Sequence, residues 1–165
     1  MTRYREALRW LYSLESRGIK LGLDRMERAA ELRGNPERDV PYVHIAGTNG
    51  KGSVATMVES VLRAAGYRTG QFASPHLQRY VERFRVGGRP ISEREAAQRI
   101  EELRADVRLP PLSFFEYTTL LAFEAFRDAA CDIVVLEVGL GGRLDSTNIV
   151  TPEVSVITNI SFEHQ

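Results

Sequence analysis

Gly47-Thr48-Asn49-Gly50-Lys51-Gly52-Ser53 brings together glycines, hydroxyl side chains and a lysine within seven residues, the materials of a phosphate cradle. Glycines let successive backbone N–H groups turn toward one anion without a Cβ in the way. A helix starting at the loop adds its partial positive charge, and Lys51 has the reach to meet terminal phosphates. Lys20 is the only other lysine in this arginine-rich chain, so a flexible point charge is kept at this position. Against the general pattern G-x-x-x-x-G-K-[ST], Ile45 stands in place of the first glycine and Gly52 in place of the hydroxyl residue. The loop alone is therefore also readable as a glycine-rich turn that binds nothing. A second candidate is Glu137, which ends the apolar run Ile133-Val134-Val135-Leu136. An acidic residue there is where phosphate-loop enzymes hold Mg²⁺, directly or through water; the plainer reading is an exposed strand-end carboxylate.

The elements that must position these residues follow from periodicity. Tyr42-Val43-His44-Ile45-Ala46 predicts a strand, and Val54, Met57, Val58, Val61 and Leu62 share one predicted helical face. Arg68 to Ala73 predicts the next strand, which completes a strand-helix-strand unit and implies a parallel sheet with a right-handed crossover. Ile133 to Leu136 and Val154 to Thr158 predict two more strands. Two amphipathic helices lead in, one between Tyr4 and Leu14, the other with Leu23, Met26, Ala30 and Leu32. Around Gly87-Gly88 a small hairpin is expected, outside the sheet. Ser92 to Glu95 and Ser113 to Glu116 both carry the capping-box pattern before a helix. The fold expected is α/β, a phosphate-loop type of mostly parallel sheet flanked by helices, in a single domain over residues 1–165.

Composition limits the function classes. Twenty-two basic and 22 acidic residues balance, so no net field draws the chain to nucleic acid or an anionic membrane, and any anion must be held by a local site. No apolar run approaches a membrane span and the amino terminus has no apolar signal core, so a cytoplasmic protein is expected. The single Cys131 has no cysteine partner and reads as a small buried residue.

His44-Ile45-Ala46-Gly47-Thr48-Asn49-Gly50-Lys51-Gly52-Ser53 resembles the variant phosphate loop of the folylpolyglutamate synthase/dihydrofolate synthase family, a branch related to the Mur peptide ligases, in which a glycine follows the lysine. Further matches come in the family's order: Leu21-Gly22-Leu23-Asp24-Arg25, Ser74-Pro75-His76-Leu77, Phe114-Phe115-Glu116, and Leu136 through Asn148. The last is the most specific. A dinucleotide fingerprint at Gly139-Leu140-Gly141-Gly142 is disfavoured, because Leu144 stands where glycine or alanine is required. The resemblance implies ATP held by Gly47, Thr48, Asn49, Gly50, Lys51, Gly52 and Ser53. It also implies Mg²⁺ on Ser74, Glu137 and His164, and a pterin pocket formed by Ser113, Phe114, Phe115, Glu116, Leu144, Asp145 and Ser146. Lys51, Glu137 and His164 would be the catalytic set. Glu163 stands beside His164 where the family usually has aspartate. His76 reads equally as an ordinary loop histidine or as a substrate contact.

By the same resemblance, ATP would phosphorylate the carboxylate of dihydropteroate or a reduced folate, and the amine of L-glutamate would displace the phosphate. No residues for glutamate stand out. The resemblance implies a second, carboxy-terminal domain absent from these 165 residues, so the isolated chain is expected to bind ATP weakly without ligating; the full-length protein is expected to be a monomer. Two other readings remain open: a Mur-type ligase acting on a nucleotide-linked peptide precursor, and a non-catalytic or fragmentary nucleotide-binding module.

Overall fold

In the computed structural model, which describes residues 2–15, 18 and 22–161, the β-rich runs pair as the sequence pattern predicts. Strands β1 (Tyr42–Ala46), β2 (Thr69–Phe72), β3 (Phe84–Val86), β4 (Arg89–Pro90), β5 (Ile133–Glu137) and β6 (Val154–Ile157) form one sheet in the order β4-β3-β2-β5-β1-β6. The pairs β2–β5, β5–β1 and β1–β6 are parallel, with Phe72 opposite Leu136, Ile45 opposite Glu137 and Ala46 opposite Ile157. This register aligns the carboxyl ends of four strands along one rim, where ligands of open α/β sheets bind.

The hairpin expected outside the sheet instead extends it. β3 pairs antiparallel with β2, and β4 with β3. Left alone, β2 would present unpaired backbone groups at an edge. Pairing satisfies them and buries Phe84, whose ring lies 5.8 Å from that of Phe72.

Among the described residues five α-helices cover the two faces: α1 (Arg3–Ser13), α2 (Asp24–Leu32), α3 (Lys51–Ala64), α4 (Glu93–Ala105) and α5 (Phe114–Asp128). α5 lies at the centre of the larger core, with Leu120, Leu121, Phe123 and Phe126 packed in one cluster with Phe72, Val134 and Leu136. Both lead-in helices and α4 complete that layer. α2 is tied to α5 by Arg33, whose Nε donates to Glu124 at 2.6 Å. Cys131 is buried, and burial pushes its thiol up to about 11, as expected of an inert residue.

On the opposite face α3 is the one α-helix among the described residues. Its inward stripe differs from the one expected: Val54, Val58 and Leu62 do face the cluster of Val43, Ile45, Ala55 and Val135, whereas Met57 and Val61 are 60% and 69% exposed. Polar bonds set this rotation. Glu59 accepts from the Thr69 hydroxyl at 2.6 Å and Thr56 from the Gln71 amide at 3.1 Å, so the stripe is centred on Ala55 and Glu59 and turns Met57 outward. Both expected caps form, differently. At α5 Ser113 and Glu116 make the reciprocal box, while at α4 Ser92 accepts from the Glu95 amide alone.

Candidate functional site

The glycine loop runs from β1 into α3 at the sheet's carboxyl rim. Gly47 has φ +132°, and a Cβ there would stand 2.1 Å from Thr158 Oγ1, so only glycine fits. The segment after β6 braces the loop. The Thr48 amide donates to the Asn159 carbonyl at 2.9 Å and the Asn49 amide to Asn159 Oδ1 at 2.8 Å, while Thr158 Oγ1 donates to the Asn49 carbonyl at 2.8 Å. Two loop amides are thus engaged and not turned to a common anion. The amides left for one include those opening α3, at Lys51, Gly52 and Ser53, because the first helical bond runs from the Val54 amide to the Gly50 carbonyl. Lys51 Nζ lies across the loop and donates to the Gly47 and Thr48 carbonyls at 2.7 and 3.2 Å.

Glu137, at the end of β5, points to this helix turn. A Cβ on Gly52 would stand 3.6 Å from Glu137 Oε2, so the glycine that follows the lysine leaves room between carboxylate and helix. Oε2 accepts from the Ser74 amide at 3.2 Å, which brings the loop after β2 to the same place. Glu137 is 5% exposed. Burial pushes its carboxyl above the usual range, and the Ser74 amide, Lys51 and Arg83 offset part of that. A buried carboxylate with one oxygen, Oε1, free of hydrogen bonds among the described residues, beside a serine, is a donor set of hard oxygens that suits Mg²⁺. His164, the third ligand expected, lies outside the described residues, as do Lys20 and Leu21.

Across the Ser74 loop a cavity of about 410 Å³ opens on the α5 side of the sheet. Ser113, Phe114, Phe115, Glu116, Leu144, Asp145 and Ser146 all line it, with Ser74, Pro75, Arg83, Gly139 and Leu140. The capping box sets two of these. Glu116 Oε2 accepts from the Ser113 amide at 2.7 Å, and Arg25 meets Oε1 at 3.0 Å. Phe114 stacks on Tyr12 with centroids 5.5 Å apart. Phe115 lies on Gly139 so closely that a Cβ there would come within 2.3 Å of the ring.

Asp145 lines the cavity with its carboxylate already engaged. Oδ1 accepts from the Thr147 amide and hydroxyl at 3.0 and 2.6 Å, and Oδ2 from the Leu140 amide at 2.8 Å. Since Thr147 Oγ1 donates to Asp145, it accepts from His44 Nε2 at 2.9 Å, which fixes the proton of His44 on Nε2. Burial holds this imidazole below its usual value despite the Asp145 charge. The chain His44–Thr147–Asp145–Leu140 thus fastens the cavity's glycine-rich wall to the strand that carries the phosphate loop.

Sequence reasoning missed Arg83. It is 7% exposed, its Nε donates to His76 Nδ1 at 2.8 Å, and its guanidinium lies 5.4 Å from the Phe114 centroid. No local signal marks it: it stands just before the expected hairpin, and the ring that lies against it belongs to Phe114, 31 residues on.

No family model matches the chain. Over 161 residues it is 46% identical to the dihydrofolate synthase/folylpolyglutamate synthase of Escherichia coli K12, an alignment spanning 95% of this chain and 37% of that protein. Its fold is similar to that of E. coli FolC in complex with DHPP and ADP, with a TM-score of 0.87 and 45% identity over 96% of this chain and 39% of that one. It is similar as well to a bifunctional folylpolyglutamate synthase/dihydrofolate synthase with Mn, AMPPNP and L-glutamate bound, with a TM-score of 0.86 and 44% identity over 96% and 39% of the two chains. The chain therefore spans between a third and two fifths of the length of these relatives. Likeness of this extent in both sequence and fold means that the chain belongs to the folylpolyglutamate synthase/dihydrofolate synthase family and corresponds to the amino-terminal portion of its members.

Proposed function

We propose that this chain supplies the ATP, Mg²⁺ and pterin-substrate part of an ATP-dependent ligase that joins L-glutamate to the carboxylate of dihydropteroate or a reduced folate. The observation that carries the reading is a shared wall. Ser74 lines the aromatic cavity and also donates to Glu137, which abuts the first turn of α3 at Gly52. A substrate in the cavity and a nucleotide at the loop would thus meet at Ser74. Relatives bound to ADP with DHPP, and to AMPPNP, Mn and L-glutamate, support the same set of ligands.

In this reading Gly47 to Ser53 hold the β- and γ-phosphates, mainly through the amides of Lys51, Gly52 and Ser53. Lys51 leaves the Gly47 and Thr48 carbonyls to follow the charge of the transferring group. Ser74 and Glu137, with His164, would hold Mg²⁺, which supplies charge neutralisation on the phosphates. Phe114, Phe115 and Leu144 clasp the pterin-bearing substrate, Glu116 offers its carboxylate to ring N–H groups, and Asp145 and Ser146 hold the wall in shape. The substrate carboxylate then bonds to the γ-phosphorus as ADP leaves, and the glutamate amine displaces phosphate to form the amide. We further propose that the full-length protein works as a monomer in the cytoplasm; no described helix is long and apolar enough to cross a membrane.

A chimera tests this. These residues replace the matching 161-residue stretch of the E. coli relative, and formation of glutamyl product from ATP, dihydropteroate and glutamate is followed. Turnover is expected, with Glu137→Gln folded but much weaker in its Mg²⁺ dependence, since an amide lacks the anionic oxygen a hard cation prefers. A folded chimera without ligation would refute the assignment.

A further inference from the structure

Two part-buried arginines of the described residues, Arg33 and Arg99, each meet two carboxylates. Arg33 meets Glu124 at 2.6 Å and Asp106 at 3.2 Å, and Arg99 meets Glu95 and Asp128 at 3.0 and 2.8 Å. Arg83 is more than nine-tenths buried and meets no carboxylate within ion-pair distance among the described residues. Its contacts are the Nε bond to His76 and the face of Phe114. Arginine keeps its charge in proteins, and burying a cation without an anion is costly. The cost is met if an anion arrives with a ligand.

The geometry says which anion. Arg83 lines the same cavity as Ser74 and Phe114, and Ser74 donates to Glu137, so the arginine shares its cavity with the wall that borders the phosphate loop. His76 takes the Nε edge of the guanidinium, which leaves the Nη1/Nη2 fork for a planar, two-oxygen acceptor. Phe114 and Phe115 line the cavity beside the guanidinium, so an aromatic wall for a flat ring lies next to the place of that acceptor. An aryl carboxylate satisfies both.

We propose that Arg83 receives the carboxylate of the cavity's aryl-carboxylate occupant through its Nη1/Nη2 fork, and that His76 is the positioning residue that orients it. The proposal rests on the reading of this cavity as the pterin-substrate pocket. His76 acts as an acceptor at Nδ1, so its proton is on Nε2, facing the Tyr12 hydroxyl at 3.4 Å. An aligned, neutral imidazole holds the fork toward the cavity without competing for the anion. In the proposed reaction Arg83 would then hold one carboxylate face while an oxygen attacks phosphorus.

The test is calorimetric titration of the chain with pteroate and with its uncharged methyl ester. The parent should prefer the carboxylate by about tenfold or more, the range of a charge-assisted hydrogen bond. In Arg83→Gln that preference should fall to near unity while ester affinity holds. His76→Asn, which keeps an acceptor oxygen, should retain most of the preference, and His76→Phe should lose it; this pair also carries the test if Arg83→Gln fails to fold. A preference that survives both Arg83→Gln and His76→Phe, or that is absent from the parent, overturns the proposal. So does a loss of AMPPNP affinity in Arg83→Gln with the carboxylate preference intact, which would assign the arginine to phosphate. If the parent binds neither pteroate nor its ester, the pocket reading itself falls, and this inference with it.

Discussion

On the α3 side of the sheet the buried apolar cluster is Val43, Ile45, Ala55 and Val135, whereas the side under α1, α2, α4 and α5 buries the rings of Tyr42, Phe72, Tyr80, Phe84, Phe123 and Phe126. The sites differ in the same way. The phosphate loop, at the thin side, is made of backbone: glycines, free amides and carbonyls that park Lys51. The cavity, at the thick side, is made of side chains from the segment after α1, α5, the loop after β5 and the loop after β2. Where few side chains pack, precision comes from backbone bonds such as those from Thr48 and Asn49 to Asn159. Where many pack, it comes from interlocking rings, and Gly139 exists to admit one of them.

The largest expected effect tests the difference in core. Phe123 is fully buried with its ring edge-on to Tyr42 at 5.8 Å, and Phe123→Ala should cost about 3–5 kcal/mol in urea unfolding. Val58→Ala, at a half-buried position under α3, should cost only about 1 kcal/mol. Equal losses would break the contrast between the two faces. Next is Lys51→Ala, expected to weaken AMPPNP binding about 100-fold, as loss of a sheltered electrostatic contact does, while pteroate affinity stays unchanged. A matching fall in pteroate affinity would mean that the two sites are not separable as described.

Smaller effects sharpen the comparison. Ser113→Ala removes a helix cap worth about 1 kcal/mol and also releases Glu116 in the cavity, so stability and pteroate affinity should fall together. Ser92→Ala, capping α4, should cost about 1 kcal/mol in stability alone. The smallest effect concerns pH. Burial depresses His44 below its ordinary value of 6.5, so above that pH both folded and unfolded chains carry neutral imidazole and the full stability is present. As pH falls through 6.5 the unfolded chain takes up a proton that the folded one resists, and stability is lost until the folded value is passed. His44→Gln should flatten this limb of the unfolding midpoint plotted against pH; an unchanged slope would mean that another group is responsible.

The sequence alone determined the parallel core, the glycine loop between β1 and α3, Lys51 within it and Glu137 at the end of β5. These are legible because each depends on residues within one turn or one strand, where apolar period, glycine placement and capping chemistry act over a few positions. Family likeness added the segments lining the cavity. Only the tertiary structure decided the rest. The β3–β4 hairpin joins the sheet because β2 needs a neighbour, a requirement set by backbone groups far away in sequence. Met57 faces solvent because Glu59 and Thr56 find partners on β2. The carboxylate of Asp145 is engaged by Thr147 and Leu140 and so shapes the wall that it lines. Arg83 is buried because His76, from its own connection between β2 and β3, and Phe114, at the start of α5, close over it. Burial and partnership are properties of the packed surfaces of several segments, and a single stretch of sequence carries no record of the segment that will cover it.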